Sequence, residues 1–409
     1  MGNEVAELTR TTRWLLAALT DLRSQLPLRG RLLDGGSAEG HAARLWAEQG
    51  GSAAFCHYEL DICRRAAASC EVSLEKCSPE KRAAEGSWLS GYNGPLSITF
   101  TDLVPAGPYD FAVFDTHKYE REYALEMIGH IASQLDEGGG LLSVVDGTIS
   151  STVWMSRLNE CFGEVKVLSP AAVQADGLDV FLARWPKPDT EPEIDYYPWP
   201  MAIDGEMCQF FGAPGVFSPK GLDAGTAFML EIMDISPNDV CLDLGCGTGA
   251  VAVAAGKKSK MPVVAVDTNA RALRLTQRNS ELNLVRPVQV QPSDGLMDIS
   301  PDIKFDVIAS NPPYHTDFAV ARRFIEGSLS RLRPGGRLYL VVKRSDWYEQ
   351  KLRSVFGGCR KFSNESGYTV LVAEHRGKWH VPPRAGKRPT RKHLKRVEES
   401  KRRKRRYLR

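Results

Sequence analysis

Val240-Cys241-Leu242-Asp243-Leu244 runs directly into Gly245-Cys246-Gly247-Thr248-Gly249, and residues 250–255 continue as an apolar stretch. The first five residues read as a buried strand, and the last six as the start of a helix. Glycines between them permit a tight turn and let a ligand approach the backbone closely at the helix N-terminus. A second apolar run, 262–266, ends in Asp267, which is placed to accept the hydroxyls of a ribose. A third turn, Ser293-Asp294-Gly295, offers Asp294 to an adenine amino group. Gly245, Gly247 and Ala250 also satisfy G-x-G-x-x-A, so the loop alone suits a dinucleotide as well as S-adenosylmethionine.

The next strand, Phe305–Ser310, delivers Asn311-Pro312-Pro313-Tyr314. Two prolines stiffen this turn and remove two N–H donors, and the residue before a proline is held extended. The Asn311 amide oxygen and the Pro312 carbonyl can both accept from an exocyclic NH2, which would aim the nitrogen lone pair at a methyl donor. Tyr314 adds a flat face for a planar base. Further on, Leu332-Arg333-Pro334-Gly335-Gly336 leads into a strand at 337–343. Strands are expected near 239–244, 262–266, 287–291, 305–310, 337–343 and 369–374. Helices are expected near 222–234, 249–257, 269–282, 318–332 and 346–355, with Asn269 as an N-cap. Each ligand candidate then closes a strand at its carboxyl end, where open α/β sheets place their sites.

Glycine loop, acid, acid and Asn-Pro-Pro-Tyr in this order resemble a class I S-adenosylmethionine-dependent methyltransferase. Phe217-Ser218-Pro219-Lys220-Gly221-Leu222-Asp223 and His315 narrow the resemblance to the small-domain ribosomal RNA guanine-N2 methyltransferases, the group of small-subunit methyltransferase C and large-subunit methyltransferase G. Tyr314 departs from the usual Phe, and Pro219-Lys220 from a more typical Arg-containing pair. The resemblance implies that Asp243, Gly245, Cys246, Gly247, Asp267, Asp294, Asn311, Phe217 and Asp223 hold S-adenosyl-L-methionine. It implies that Asn311, Pro312, Pro313 and Tyr314 form the catalytic turn. His315 reads as a supporting histidine rather than a base. An adenine-N6 or a protein glutamine-N5 methyltransferase, and a non-enzymatic RNA-binding ribosome-assembly factor, are the alternatives.

The first half echoes the second. Leu33-Asp34-Gly35-Gly36-Ser37-Ala38-Glu39-Gly40 corresponds to residues 242–249, Tyr58-Glu59 to Val266-Asp267, residues 109–114 to 304–309, and 135–139 to 332–336. The near-constant offset indicates a duplicated domain. Ala38 stands where Gly247 would, and Asp115-Thr116-His117-Lys118 where Asn311-Pro312-Pro313-Tyr314 would. Residues 1–185 therefore read as a degenerate, non-catalytic copy, for RNA docking or for supporting its neighbour. The rival is that Asp34, Gly36, Gly40 and Glu59 still hold a ligand. The expected fold is α/β, with two tandem Rossmann-like domains and a basic C-terminal tail.

A length of 409 residues with 43% hydrophobic content suits two or three domains. Pro186-Lys187-Pro188 through Pro192, then Tyr196-Tyr197-Pro198-Trp199-Pro200, read as a Pro-rich linker at 186–200. Its aromatics are expected to pack across a domain boundary rather than stack on RNA. The catalytic domain spans 201–378, and 379–409 is an RNA-binding tail without expected structure. From residue 376 onward, 16 lysines and arginines face two acids, whereas the first 375 residues hold 37 bases against 48 acids, a net of −11. A basic tail on an acidic body, densest over 388–409 with Arg388 and Arg409 at its ends, suggests an arm for ribosomal RNA or a ribosomal subunit. A nuclear-targeting signal would look the same. No membrane-spanning run, leader-like N-terminus or C-x-x-C pair is present, so a cytoplasmic, metal-free protein is expected. Cys56, Cys63, Cys70 and Cys77 recur every seven residues but read as buried free thiols.

Overall fold

Residues 9–22, 30–80, 82, 86–117, 119–168, 177–188, 190, 193–285, 288–313 and 318–377 are described by the computed structural model. The first half contains β1 (Arg31–Gly35), β2 (Ser52–His57), β3 (Glu75–Lys76), β4 (Ser87–Asn93), β5 (Leu96–Thr101), β6 (Tyr109–Asp115), β7 (Leu135–Val145), β8 (Phe162–Val167) and β9 (Asp179–Pro186). Its helices are α1 (Arg10–Leu22), α2 (His41–Glu48), α3 (Leu60–Ser69), α4 (Arg121–Ala132) and α5 (Ser151–Cys161). A hairpin of β10 (Tyr197–Ile203) and β11 (Glu206–Gly212) opens the second half. Then come α6 (Ala224–Ile232), β12 (Cys241–Leu244), α7 (Ala250–Lys258), β13 (Val263–Asp267), α8 (Ala270–Leu282), β14 (Val288–Pro292) and β15 (Phe305–Ser310). The chain continues through α9 (Ala319–Arg331), β16 (Leu332–Val342), α10 (Asp346–Phe356), β17 (Arg360–Ser363) and β18 (Thr369–Glu374).

The duplication is visible in the sheets. The second sheet runs β14-β13-β12-β15-β16-β18-β17, and the first runs β5-β2-β1-β6-β7-β9-β8 with β3 and β4 added beyond β5. In the second sheet the five strands β12 to β16 pair in parallel, and β18 joins antiparallel to β16 and β17. Strands covered on both faces need near-continuous apolar sequence, and β12, β15 and the later part of β16 are buried residue by residue, Asp306 apart. The strand expected at 337–343 is longer, because residues 332–336 belong to it after a register shift opposite Phe305 and Val307. The same shift recurs opposite Tyr109 and Phe111 in the first copy.

The hairpin is the element that the sequence reading did not place. Residues 197–200 of the expected linker are part of β10 and pair with β11. Asp204 and Gly205 turn the hairpin, both with positive φ, as a two-residue turn of opposite hand to the common type requires. That Asp-Gly pair was the available signal. Trp199, Met201, Ile203, Cys208 and Phe210 point one way and pack on Ala250, Val253 and Ala254 of α7. Tyr196 meets Phe211 edge-on, and the Arg278 guanidinium lies over both rings at 4.2 and 4.4 Å. Trp199 and Tyr196 thus pack on α7, α8 and the hairpin of their own half rather than across the domain boundary as expected. All nine cysteines are unpaired; Cys56 lies on β2 and Cys63 on α3, so the seven-residue spacing makes no common face.

The repeat anchors need one correction. β2 ends at His57 and α3 begins at Leu60, while β13 ends at Asp267 and α8 begins at Ala270. The counterpart of Asp267 is therefore His57, and Glu59 corresponds to Asn269. Matching acid to acid had slipped the alignment by two residues. These equivalent corners meet across the domain boundary. Glu59 bridges Asn269, Leu60 N–H donates to the Thr268 carbonyl at 2.8 Å, and Ala270 N–H donates to the Tyr58 carbonyl at 2.8 Å. Beside them, Arg271 is fully buried and donates from Nη2 to Glu126 at 2.6 Å; Arg274 holds the equally buried Asp102 at 2.8 Å. Burial pushes the Glu126 carboxyl up, but His130 and Arg271 together hold it below its ordinary value.

Candidate active site

A cavity of about 800 Å³ lies at the carboxyl ends of β12, β13 and β15. The glycine loop forms its floor. Gly245, Gly247 and Gly249 all have positive φ, and the places where side chains would project from Gly245 and Gly247 are open. A Cβ at Gly249 would instead meet the Thr276 backbone at 2.9 Å, so this glycine lets α7 and α8 close together. Asp243 is buried and accepts from Ala252 N–H at 2.9 Å, which ties the strand to α7. Asp267 accepts from Gly247 N–H at 2.9 Å and Asn269 N–H at 3.0 Å, so its carboxyl is locked over the loop. Asn279 on α8 bonds to the Thr248 and Phe211 carbonyls, both at 2.8 Å, and so joins loop to hairpin.

The structure brings the expected residues together on this cavity: Phe217, Asp223, Asp243, Gly245, Cys246, Gly247, Asp267, Asp294, Asn311, Pro312 and Pro313 line it. Tyr314 and His315 lie outside the described residues. Phe217 is exposed despite its size. Asp294 is in an ion pair with Arg323 at 2.9 Å, so an adenine amine would share this carboxylate with a guanidinium. Asp223 does more than line the wall. Its carboxylate caps α6 by accepting from Thr226 N–H at 2.9 Å, and it accepts from Asn311 Nδ2 at 3.0 Å. Thr226 Oγ1 accepts from the same amide nitrogen at 3.1 Å. A carboxylate only accepts, so Asp223 dictates which side of the Asn311 amide carries its NH2. Thr226 and this clamp were not foreseen. The signal was present, since an Asp before a helical run is a cap, and Thr226 follows it by three residues.

The first copy has lost this space. The Tyr119 ring comes within 2.8 Å of a Cβ built on Gly36, the counterpart of the open Gly245. His57, Tyr58 and Tyr123 surround Tyr119, with ring centroids 4.7 to 5.7 Å away. Asp115, the counterpart of Asn311, accepts from the hydroxyls of Thr11 and Thr12 on α1 at 2.9 and 2.7 Å. The chain's own groups thus occupy what is open in the second copy.

Burial pushes Asp243 up to about 7 and Asp34 up to about 6, from an ordinary 3.8. The folded protein then keeps protons that the unfolded chain releases above about pH 4. The stability these groups contribute is full below that pH and is lost as pH rises through 6 to 7. Thermal unfolding without cofactor should give a midpoint that falls from about pH 5 to pH 8, and Asp243→Asn should flatten the upper part of the slope. A rise over that range would contradict the assignment.

Charge separates the two cofactor readings that the glycine loop left open. Among the described residues, Asp61, Asp223, Asp267 and Asp294 line the cavity against one base, Arg323, leaving aside Asp243 and Glu59, whose carboxyls burial pushes up. Such a wall repels the pyrophosphate of a dinucleotide and suits a sulfonium cation with its amine. Fold and cavity define an S-adenosylmethionine-dependent methyltransferase of class I. The chain is 30% identical, over 302 residues, to ribosomal RNA small subunit methyltransferase C of Pseudomonas paraeruginosa, covering 70% of this chain and 87% of that protein. It belongs to that family. The methyltransferase small domain family also matches residues 207–372. Ribosomal RNA large subunit methyltransferase G of Streptomyces avermitilis is 32% identical over 200 residues, 46% of this chain and 52% of the relative. A T. thermophilus 16S rRNA N2-guanine methyltransferase, solved with AdoMet and guanosine, shares the fold at a TM-score of 0.69 and 22% identity, over 88% of this chain and 92% of the other.

Proposed function

We propose that this enzyme methylates the exocyclic N2 of a guanine in ribosomal RNA. The observation that carries the reading is the clamp on Asn311, where Asp223 and Thr226 take the amide NH2 and set its carbonyl on the opposite side. A carbonyl acceptor held on a stiff proline turn at the cavity wall suits an amino nitrogen. Kinship supports guanine over adenine, since the family's small-subunit members and the large-subunit relative act on ribosomal RNA and the T. thermophilus neighbour was solved with guanosine.

When bound, S-adenosylmethionine supplies an already activated methyl on sulfur. Gly245 and Gly247 give it close backbone approach, and Asp267 takes its ribose hydroxyls. Asn311 and the Pro312 carbonyl hold the hydrogens of the target NH2. The lone pair would then be aimed at the donor methyl, whose transfer to nitrogen would leave the sulfur with the bonding pair, and the surplus proton would pass to water. Rate enhancement comes chiefly from this positioning. The target base leaves its stack at a cost of a few kcal/mol and enters beside Pro313.

The first domain is a non-catalytic partner in this reading. The tail at 388–409, outside the described residues, attracts phosphate without reading sequence. Its removal should weaken RNA binding and reduce the salt slope of affinity while leaving the methylated nucleoside unchanged, as filter binding across salt concentrations would show. A ribosomal substrate supports a cytoplasmic location.

The direct test is methyl transfer from labelled S-adenosylmethionine into separate pools of total rRNA, ribosomal subunits and release factor, followed by nucleoside mass analysis. N2-methylguanosine is expected. N6-methyladenosine, or label in protein, would overturn the substrate while keeping the cofactor.

A further inference from the structure

Glu59 belongs to the first domain, yet it lines the cofactor cavity of the second. Nothing about a degenerate copy requires this. The cause lies in the paired corners at the domain boundary. The two 2.8 Å backbone bonds, Leu60 N–H to Thr268 and Ala270 N–H to Tyr58, fix the Glu59 backbone opposite Asn269, two residues beyond Asp267. Glu59 sits at the N-cap position of α3 but makes no side-chain cap there. Its carboxyl instead turns to the neighbouring domain, with Oε1 at 3.4 Å from Asn269 Nδ2. The surroundings leave little freedom, because the adjacent Tyr58 is buried with its ring 4.5 Å from that of Tyr123.

We infer that Glu59 is a cofactor-binding residue supplied across the domain boundary, which with Asp267 takes the ribose hydroxyls of S-adenosylmethionine. Its chemistry complements that of Asp267. Burial first, and then the Asp267 carboxylate, push Glu59 up to about 8. At neutral pH it keeps its proton and can donate to a hydroxyl oxygen as well as accept, whereas an ionised carboxylate only accepts. A diol presents both donors and acceptors, so one carboxyl of each kind matches it. The degenerate copy is thereby part of the cofactor site, although its own ligand space is filled by Tyr119.

The inference rests on the cofactor and not on the choice of target base, so the test contains no RNA. Calorimetry would measure binding of S-adenosylhomocysteine and of its 2′-deoxy and 3′-deoxy analogues to the full chain. The wild type should lose roughly tenfold on removal of a hydroxyl that Glu59 holds. Glu59→Ala, and Glu59→Met as the variant that keeps side-chain length, should bind the parent compound roughly tenfold more weakly. In both variants, the penalty for at least one deoxy analogue should shrink to roughly twofold. Glu59→Gln, which still donates and accepts, should stay near wild type. Unchanged parent affinity in either folded variant would overturn the inference. So would weaker binding with both deoxy penalties intact, because the loss would then be structural.

Discussion

Asn311→Ala is expected to cut turnover by roughly a hundredfold or more while cofactor affinity stays within a few fold of wild type. The amide is held by Asp223 at 3.0 Å and Thr226 at 3.1 Å, so its carbonyl is fixed before any base arrives. Removing it deletes an acceptor that works when the nitrogen lone pair must point at the methyl. The glycine loop and Asp267 keep their own contacts, and these do not pass through Asn311. Asp223→Asn should cost less, about tenfold, because an amide there lets the Asn311 amide turn over without emptying the site. Single-turnover rates with saturating cofactor, beside a calorimetric affinity, separate the two quantities. Full turnover in Asn311→Ala with cofactor still bound would sink the mechanism.

Arg271→Ala is expected to cost roughly 3–5 kcal/mol of stability. This guanidinium is fully buried at the domain boundary and donates to both Glu126 oxygens, at 2.6 and 3.0 Å. It also donates to the Asp102 and Pro214 carbonyls at 3.2 and 3.3 Å. Truncation leaves Glu126 buried with no full cation bonded to it among the described residues, only His130 and the Asp195 N–H, both at 3.4 Å, whereas Asp102 keeps Arg274. An uncompensated buried charge is the main cost, so the double variant Arg271→Met with Glu126→Gln should recover part of the loss. Urea unfolding of wild type, Arg271→Met, Glu126→Gln and the double variant gives the coupling energy. If Arg271→Ala alone unfolds like wild type, the pair does not hold the boundary. Because Arg271 directly follows Ala270, the same substitution should also loosen the corner that carries Glu59.

The amino-acid sequence determined what repeats along one chain and closes strands. Buried parallel strands demand unbroken apolar runs, and a glycine loop, Asp267, Asp294 and Asn311 each follow such a run. The cofactor floor, the proline turn and the worn first copy were therefore readable. The hairpin at 197–212 was missed because its prolines suggested a linker and the Asp204-Gly205 turn was passed over. Only the tertiary structure decided how the two copies meet. A side chain's partner across a domain boundary leaves no periodicity, so Glu59 read as the counterpart of Asp267 within its own domain. It stands instead on the wall of the other domain's cavity. The same holds for the clamp on Asn311, formed by Asp223 and Thr226 more than eighty residues earlier, and for Arg271. Local pattern records the backbone geometry that each segment needs, whereas these contacts depend on where separate segments come to rest.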